Sequence, residues 1–459
     1  MTTIQTQENP LGYKPIPSLL KSFAIPSIIA MLVSSLYNIV DQIFIGQGVG
    51  YLGNAATNVS YPLTTICLAI SLLIGIGSAS QFSLYLGAGE QKKAESVVGN
   101  GIAMMLTFGI LYAVLIEVFL HPLLLAFGAT PANLSYAETY SRIIALGMPF
   151  QVVTTSMSNL IRADGSPRYS MTCMLIGAIA NTILDPIFIF IFDLGVAGAA
   201  WATIIGQFLS FLAAIAYIRR FKTVEVRLSD VRLNLQETLR TAALGMSNSL
   251  NQVGITLVQI VLNNSLTYYG ALSEYGTDIP LAACGIVMKT NAILLAVIIG
   301  ISQGSQPIWG FNYGAEKYSR VRQTYRYSVT LCTVIATIFF ICFQFFPHQI
   351  VGIFGNGSDL YFHFAEKYLR IFMLMTFANG IQPMSAGFFT SIGKARLGVI
   401  MSLTRQVLFL LPLIVIFPVF FGIDGVMYAG PIADTSAFVL AVVFARRELG
   451  VMKAAEQNA

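Results

Sequence analysis

Charged side chains are scarce in this sequence: Asp, Glu, Lys and Arg make up only 10% of its 459 residues, whereas 56% are hydrophobic. That composition leaves too little polar surface to coat a water-soluble protein of this length, so lipid is the expected solvent. Hydrophobic runs continue through nearly the whole chain, which leaves no room for a separate soluble domain. The net charge is +5, but the basic residues are scattered through short loops, and this argues against a nucleic-acid partner.

Cysteine and the usual catalytic motifs are also lacking. The five cysteines are odd in number and all fall inside hydrophobic runs, so we expect no disulfide. No phosphate-binding glycine loop, nucleophile elbow or paired-cysteine motif is present, and we therefore expect neither an enzyme nor a bound cofactor. The three histidines (His121, His348 and His363) lack metal-ligand spacing and are assigned no role. Residues 1–20 lack a signal-peptide pattern, so the first span should be retained as an anchor.

Twelve hydrophobic stretches are long enough to cross a membrane as helices. A helix rises about 1.5 Å per residue, so a hydrocarbon core of roughly 30 Å requires about 20 residues. The predicted spans in the first half are residues 21–45, 58–86, 97–120, 136–161, 169–192 and 196–218. Those in the second half are residues 241–269, 281–310, 324–346, 363–391, 398–420 and 424–446.

The distribution of Lys and Arg predicts the orientation. Loops near residues 46–57, 192–196, 270–280 and 421–424 contain no Lys or Arg, whereas the alternate loops and both terminal segments are basic. Short basic loops stay on the cytoplasmic side of a membrane. Both termini are therefore expected in the cytoplasm.

The two halves of the chain resemble each other. Residues 75–89 match residues 300–314, with Gln81 and Gln306 in register, and residues 137–143 match residues 365–371. A repeat of this length indicates two homologous units. Because each half holds an even number of spans, both halves enter the membrane in the same direction, as parallel repeats do.

We therefore predict an all-α integral membrane fold with twelve transmembrane helices in two six-helix bundles around a central cavity. The first lobe would comprise residues 1–218, a cytoplasmic linker residues 219–240, and the second lobe residues 241–459. Two lobes that flank a cavity suit a transporter with alternating access. Duplicated helical bundles can also be channels or membrane enzymes.

Several short motifs, in this order and at these spacings, resemble the multidrug and toxic compound extrusion (MATE) family of transporters. They are Pro26 with residues 41–46, residues 75–89 with their second copy, residues 165–168, Asn181 with Asp185, and residues 195–203. The resemblance covers nearly the entire chain and implies export of mostly cationic, amphiphilic compounds, driven by inward movement of sodium ions or protons. It also implies a prokaryotic plasma (inner) membrane location. The family's cation site maps onto Asp41, Asn181, Asp185 and Thr203.

Counting residues brings the same four positions together. Asp41, Asp185 and Thr203 lie five to eight residues from the outer ends of their predicted spans, roughly 7–12 Å deep. Asn181 precedes Asp185 by four residues and shares its helical face. Two carboxylates, an amide and a hydroxyl could ligate Na⁺ or share a proton. Alternatively, Asp41 could cap a broken helix and Asp185 could satisfy backbone freed at Pro186.

The interior of spans seven, eight and ten in the second lobe contains no carboxylate, which places the coupling site in the first lobe. Arg405 and Asp434 could form an ion pair between spans eleven and twelve, or contact the substrate.

Lys289 has no obvious partner. It could repel cationic drugs, favour an anionic substrate or snorkel to the outer surface. The residues suggested for the substrate cavity are Tyr37, Gln151, Met157, Gln259, Met288 and Lys289.

The expected partners are small drug-like molecules, the coupling cation and membrane lipid, with a monomeric protein. One alternative is a lipid-linked oligosaccharide flippase of the same superfamily, which should have a cavity rich in Arg and Lys. A receptor or channel that does not transport is another alternative, although the chain has no sensory domain.

Overall fold

The computed structural model describes residues 9–354 and 357–457, and within them the chain is built from helices. The helices of the first half are α1 Ile16–Gly48, α2 Tyr51–Gly87, α3 Gln91–Ala126, α4 Leu134–Ala163, α5 Pro167–Pro186 and α6 Gly195–Ala216. Those of the second half are α7 Leu235–Ala271, α8 Asp278–Gly314, α9 Tyr318–Phe345, α10 Pro347–Ile353, α11 Asp359–Phe372, α12 Ile381–Ser391, α13 Ala395–Leu403, α14 Leu411–Phe421 and α15 Ile423–Gln457.

These helices align with the twelve predicted spans. Helices α1 to α9 account for spans one to nine, and α15 accounts for span twelve. Span ten consists of α11 and α12, joined through a 3₁₀ turn at Thr376–Ala378. Span eleven consists of α13 and α14, joined by a π-helical stretch at Thr404–Leu410. The protein has an all-α membrane fold, as the composition indicates.

Nine helices within the described residues are long and apolar enough by themselves to cross a membrane. Of the remaining spans, α4 and α7 are long enough, at 30 and 37 residues, but more polar. Span ten is divided into pieces of 14 and 11 residues. Polar residues and helix breaks are tolerated at membrane depth where they face protein or a water-filled cavity.

The helices extend beyond the predicted hydrophobic spans. Helix α2, for example, contains 37 residues, about 55 Å, whereas a hydrocarbon core is roughly 30 Å thick. The extra residues of α2 lie mainly at its beginning, whereas α7, α9 and α15 extend mainly on the side where α1 begins and α2 ends. Since the loops on this side carry the Lys and Arg residues, we call it the basic side, and we call the other the opposite side.

The internal repeat is visible in the backbone. Gly165 follows α4 and Gly393 follows α12, and both have φ of +83°, a conformation that residues with side chains rarely adopt. Gly165 donates to the Arg162 carbonyl and Gly393 to the Thr390 carbonyl, at 3.1 Å in each case. The two spans therefore end in the same left-handed turn at equivalent positions.

The lobes meet closely in the basic halves of α1, α2, α7 and α8. A Cβ atom added to Gly245 of α7 would lie 1.8 Å from the Leu73 carbonyl oxygen of α2, and one added to Gly77 would lie 2.0 Å from the Thr241 oxygen. Likewise, a Cβ atom on Gly300 of α8 would lie 2.6 Å from the Cα atom of Ile28 in α1. The glycines let the helix backbones touch and close the basic side. We call this contact the seal, and the space between the lobes beyond it the cleft.

Candidate functional site

Asp41, Asn181, Asp185 and Thr203 converge within the first lobe. Asp41 lies on α1, Asn181 and Asp185 on α5, and Thr203 on α6. The Asn181 amide donates to Asp185 Oδ1 and to Thr203 Oγ1, each at 3.2 Å. The Asp41 and Asp185 carboxyl groups are neighbours. The sequence-based grouping of these four positions therefore corresponds to one cluster, which we call the acidic cluster.

The cluster is shielded from solvent but incompletely hydrogen-bonded. Asp185 is 0% exposed, Asn181 3% and Asp41 8%. Three buried oxygens, Asp41 Oδ1, Asn181 Oδ1 and Asp185 Oδ2, have no hydrogen-bond partner in the described part of the chain. Buried acceptors without a donor are costly, so each requires an explanation. A cation placed among the three oxygens would satisfy all of them, and a proton shared by the two carboxylates would satisfy two.

The local backbone explains why these side chains are available. Helix α1 runs unbroken from Ile16 to Gly48, so Asp41 does not cap a helix end. Helix α5 ends at Pro186, and a π-helical stretch follows at Ile187–Ile191. The hydrogen bond recorded for Asp185 comes from a side-chain amide and not from backbone freed at the proline. The structural alternative for the two carboxylates is therefore not supported, and π-helical stretches are frequent at functional sites.

Two tyrosines lie beside both carboxylates. Tyr37, predicted as a cavity residue, is on α1 one turn before Asp41, and its side chain is near Asp41 and Asp185. Tyr140 of α4 is buried next to the same pair, and sequence reasoning did not identify it as a site residue. The sequence does contain a hint of its importance, because Tyr140 and Tyr368 occupy matching positions in the internal repeat. The repeat alone did not show which of the two faces carboxylates.

The chemistry of the cluster suits a small cation or a proton. Carboxylates accept hydrogen bonds or metal ions but donate only when protonated, and Thr203 adds a hydroxyl oxygen. Hard cations such as Na⁺ prefer oxygen ligands of this kind. Within residues 9–354 and 357–457, no group of three or more His, Cys, Asp or Glu side chains could hold a metal ion. The acidic cluster instead combines two carboxylates with one amide and one hydroxyl.

The residues suggested for the substrate cavity are dispersed. Gln151 accepts from Gln207 inside the first lobe, at 3.2 Å. Met157 is fully buried in the core of that lobe. In the second lobe, Gln259 donates to Asn263 at 2.9 Å, and Met288 packs against the core. Met157 is therefore a core residue of the first lobe, because hydrophobic periodicity does not distinguish a core face from a cleft face.

Helical periodicity places Lys289 on the cleft side of α8. It precedes Gly300 by eleven residues, which is three helical turns and about 20° of rotation. The backbone of Gly300 touches Ile28 of α1. Lys289 therefore shares the α1-facing side of α8, about 16 Å beyond that contact toward the opposite side. The antiparallel register of α1 and α8 places it level with residue 39, between Tyr37 and Asp41. Its side chain is exposed, and no ion pair or hydrogen bond is recorded for it among the described residues.

Arg405 and Asp434 form the predicted ion pair. Arg405 lies in the π-helical stretch of span eleven, and its Nε donates to Asp434 Oδ1 on α15. The side chains are 12% and 1% exposed. The predicted ion pair is therefore present, and the second carboxylate oxygen, Asp434 Oδ2, has no hydrogen-bond partner in the described part of the chain.

Polar side chains reinforce the seal, and sequence reasoning did not find them. Arg162 at the end of α4 donates to Gln303 Oε1 of α8 at 2.7 Å, so the first lobe is bonded to the second. Gln81 of α2 accepts from Thr241 at 3.0 Å and donates to Glu237, both on α7. These contacts join segments far apart in the chain, and no local pattern in the sequence reports them.

Comparison with known proteins identifies the family. The family model described as MatE matches residues 26–187 and 269–416, more than half of the chain. The protein belongs to the MATE family of transporters. This membership confirms the resemblance inferred from the sequence motifs, and it assigns the chain to a family of transporters and not of enzymes.

Two bacterial MATE relatives cover almost the whole chain. The Multidrug export protein MepA of Staphylococcus saprophyticus is 27% identical over 440 residues, which cover 94% of each chain. The protein of the same name from Staphylococcus aureus strain MSSA476 is 26% identical over 430 residues, covering 94% of this chain and 93% of the relative. Similarity over this length extends through both lobes.

Solved MATE structures have the same fold. A crystal structure of MATE in complex with MaL6 superposes with a TM-score of 0.91 at 21% identity, covering 98% of this chain and 100% of the other. An outward-facing multidrug resistance MATE transporter superposes with a TM-score of 0.89 at 21% identity. The match covers 96% of this chain and 99% of the other. These neighbours have the twelve-helix, two-lobe fold predicted from the sequence.

Proposed function

We propose that this MATE protein exports small amphiphilic, mostly cationic compounds and couples their export to inward movement of Na⁺ or H⁺. The observation that carries the proposal is the acidic cluster, with three buried oxygens that lack a partner. The names of the staphylococcal relatives, both multidrug export proteins, support the choice of drug-like cargo.

The acidic cluster would couple ion binding to the orientation of the lobes. Asp41 belongs to α1, which also forms the seal through Ile28, while Asp185 and Thr203 belong to α5 and α6. An ion held between them draws α1 toward the other two helices. A ligand shifts a conformational equilibrium only by its different affinity for the two states, so a cluster that is complete in one state favours that state. Release of the ion favours the other.

The proposed orientation places the basic side and both termini in the cytoplasm of a bacterial cell. The cleft then opens outward, and the seal separates it from the cytoplasm. Cargo would leave through the cleft in this state and enter after the seal opens, as alternating access requires. We propose the lobe boundaries 1–218 and 241–459 for this movement, with residues 219–240 as the connection and a monomer as the transporting unit.

The flippase alternative needs a cleft rich in cations, which the observed contacts do not favour. Arg405 is paired with Asp434, and Arg162 is bonded to Gln303 within the seal. Lys289 alone is a weak recognition site for a polyanionic lipid. We therefore retain drug export as the proposed activity.

Transport in inverted membrane vesicles tests the proposal. Uptake of a fluorescent cationic drug should follow an imposed sodium gradient or an imposed pH gradient, and the effective gradient identifies the ion. Asp41→Asn and Asp185→Asn should each reduce gradient-driven uptake to background. Asp193→Asn, at an exposed loop acid between α5 and α6, is the matched control and should transport normally. Full gradient-driven transport by both cluster variants would refute the assignment.

A further inference from the structure

The connection between the lobes is held against the base of the first lobe at two places. Asp164, just after α4, accepts from the Tyr217 hydroxyl at 2.7 Å, the Lys222 amide at 2.8 Å, and the Thr223 amide and hydroxyl at 3.1 and 2.6 Å. Asn100 of α3 accepts from the Asn234 amide at 2.8 Å. Residues 217–234 therefore form a fixed strap across the basic side of the lobe.

A cavity of about 320 Å³ lies between this strap and the helix bundle. That volume falls in the range of roughly 300–1,000 Å³ typical of small-molecule sites. Its wall is apolar apart from two arginines. The lining residues are Ile102, Met105, Leu106, Val153, Met157, Ile215, Ile218, Arg219, Val226, Arg227 and Val231.

The cavity has a buried apolar end and a cationic end. Met105 and Met157 are fully buried, and Leu106, about 22 Å along α3 from its basic end, is 39% exposed. Arg219 and Arg227 are exposed on the strap. Arg227 is 3.5 Å from Glu225, an exposed pair that contributes little. The strap segment 219–232 carries five Arg and Lys residues against two acidic ones, so its charge is positive.

We propose that this cavity binds one acyl chain of an anionic phospholipid from the leaflet on the basic side, with the lipid phosphate between Arg219 and Arg227. Basic pockets between transmembrane helices on the cytoplasmic side recognise anionic head groups. The apolar wall fits a hydrocarbon chain, and a large apolar cavity left empty is costly. The site is separate from the acidic cluster and the cleft. It also places Met157, suggested as a drug-contact residue, against lipid.

Bound lipid would fix the strap to α3, α4 and α6. The strap continues into α7, whose first turns form part of the seal. The position of the second lobe relative to the first therefore depends in part on how firmly the strap is held. Lipid composition would regulate transport through this connection.

Lipid retention by the purified full-length protein tests the site. Native mass spectrometry compares retained phosphatidylglycerol with phosphatidylcholine of the same acyl chains. Each arginine near an anionic head group contributes about 1 kcal/mol, so two should give a preference of roughly 30-fold for phosphatidylglycerol over phosphatidylcholine. The double variant Arg219→Gln/Arg227→Gln should lose this preference. Arg220→Gln is the matched control, because Arg220 lies over the Tyr169 ring, 6.0 Å from its centre, and does not line the cavity. Equal retention of both lipids by the unmodified protein, or the same loss in Arg220→Gln, would overturn the proposal.

A second measurement needs no substitution and remains informative if the variants fold poorly. Phosphatidylglycerol with a photoreactive group near the end of its acyl chain should crosslink to residues 102–106 or 153–157. Excess glycerol phosphate, a soluble head group, should not reduce the labelling, whereas unlabelled phosphatidylglycerol should. Labelling confined to other helices, or displacement by glycerol phosphate alone, would exclude an acyl-chain site. Displacement by a cationic drug and not by the lipid would show that the cavity belongs to the cargo.

Discussion

The fifth and sixth spans of the first lobe and their counterparts in the second lobe, spans eleven and twelve, hold different chemistry. Spans five and eleven each contain a π-helical stretch, but at different depths: Ile187–Ile191 follows Pro186 near the end of span five, whereas Thr404–Leu410 lies in the middle of span eleven. In the first lobe, Asp185 has an amide neighbour and a second carboxylate beside it. In the second lobe, the carboxylate of Asp434 is neutralised by Arg405.

This difference separates two carboxylates without an arginine or lysine partner from a carboxylate that has one. A buried carboxylate with an arginine partner already has its counter-ion, and removing either partner leaves an uncompensated charge. The acidic cluster has no such partner among the described residues, so under the proposed function a mobile cation or proton would supply the compensation. The two lobes thus place their buried carboxylates differently, with an arginine partner in the second lobe and without one in the first.

Breaking the ion pair of the second lobe should give the largest change in stability. Arg405→Met leaves the Asp434 carboxylate buried and unpaired, which should cost roughly 3–5 kcal/mol of unfolding free energy. In Arg405→Met/Asp434→Leu both charges are absent, and most of that loss should be recovered. Thermal unfolding in detergent measures both variants. A double variant as unstable as the single one would contradict the pairing.

Neutralising the cleft lysine should change cargo preference. The positive charge of Lys289 should repel a bound cationic drug. For two unit charges about 8 Å apart near a protein surface, this repulsion is roughly 1–2 kcal/mol. Lys289→Gln should therefore strengthen apparent binding of a cationic drug about 5- to 30-fold and weaken binding of a carboxylate-bearing one. Competition assays on purified protein measure both. Lys93→Gln, at an exposed lysine paired with Glu90, is the control, and an equal shift there would exclude a cleft effect.

Neutralising the acidic cluster should have a smaller effect on stability, opposite to that of the ion pair. Asp185→Asn removes a carboxylate that has an unpartnered oxygen, so we expect a change within about 1 kcal/mol, in the stabilising direction. Unfolding measured across a series of Na⁺ concentrations or pH values should show ion-dependent stabilisation of the unmodified protein only. Ion-dependent stabilisation of the variant would place the coupling ion elsewhere.

The smallest effect is expected at a feature that the two lobes share. His121 lies beside Glu138, and His348 lies beside Glu366, at positions equivalent in the internal repeat. Both histidines are mostly exposed, and exposed pairs contribute about 0–1 kcal/mol. His121→Gln and His348→Gln should therefore lower stability by less than about 0.5 kcal/mol each, and equally. A large difference between them in the same unfolding assay would show that the pairs are not equivalent.

The sequence predicted the architecture well because its signals are local and repeated. Hydrophobic length and loop charge determine the spans, and the repeat relates the lobes. The acidic cluster was also predictable. Asp41, Asp185 and Thr203 lie at similar depths on three neighbouring helices, and helical spacing adds Asn181 to the face of Asp185. The depth of a residue in the membrane and the helix face on which it lies can both be calculated from residue numbers.

What the sequence did not predict depends on contacts between distant segments. The same hydrophobic pattern that suggested a drug contact at Met157 places that residue in the wall beneath the strap. Nothing near Arg162 in the sequence indicates Gln303 as its partner, 141 residues away. The histidines also showed no pattern by themselves, because each partner glutamate lies on the next helix. In each case the local spacing is compatible with several neighbours, and tertiary packing determines which one is present.

The seal depends on residues that have no side chain. At Gly245, a single added methyl group would overlap the carbonyl of Leu73 and hold the two lobes apart on the basic side. Separating the lobes on this side would part backbone from backbone at the glycines and break the side-chain hydrogen bonds that Arg162 and Gln81 make across the seal. Even alanine at Gly245 would prevent the seal from closing completely.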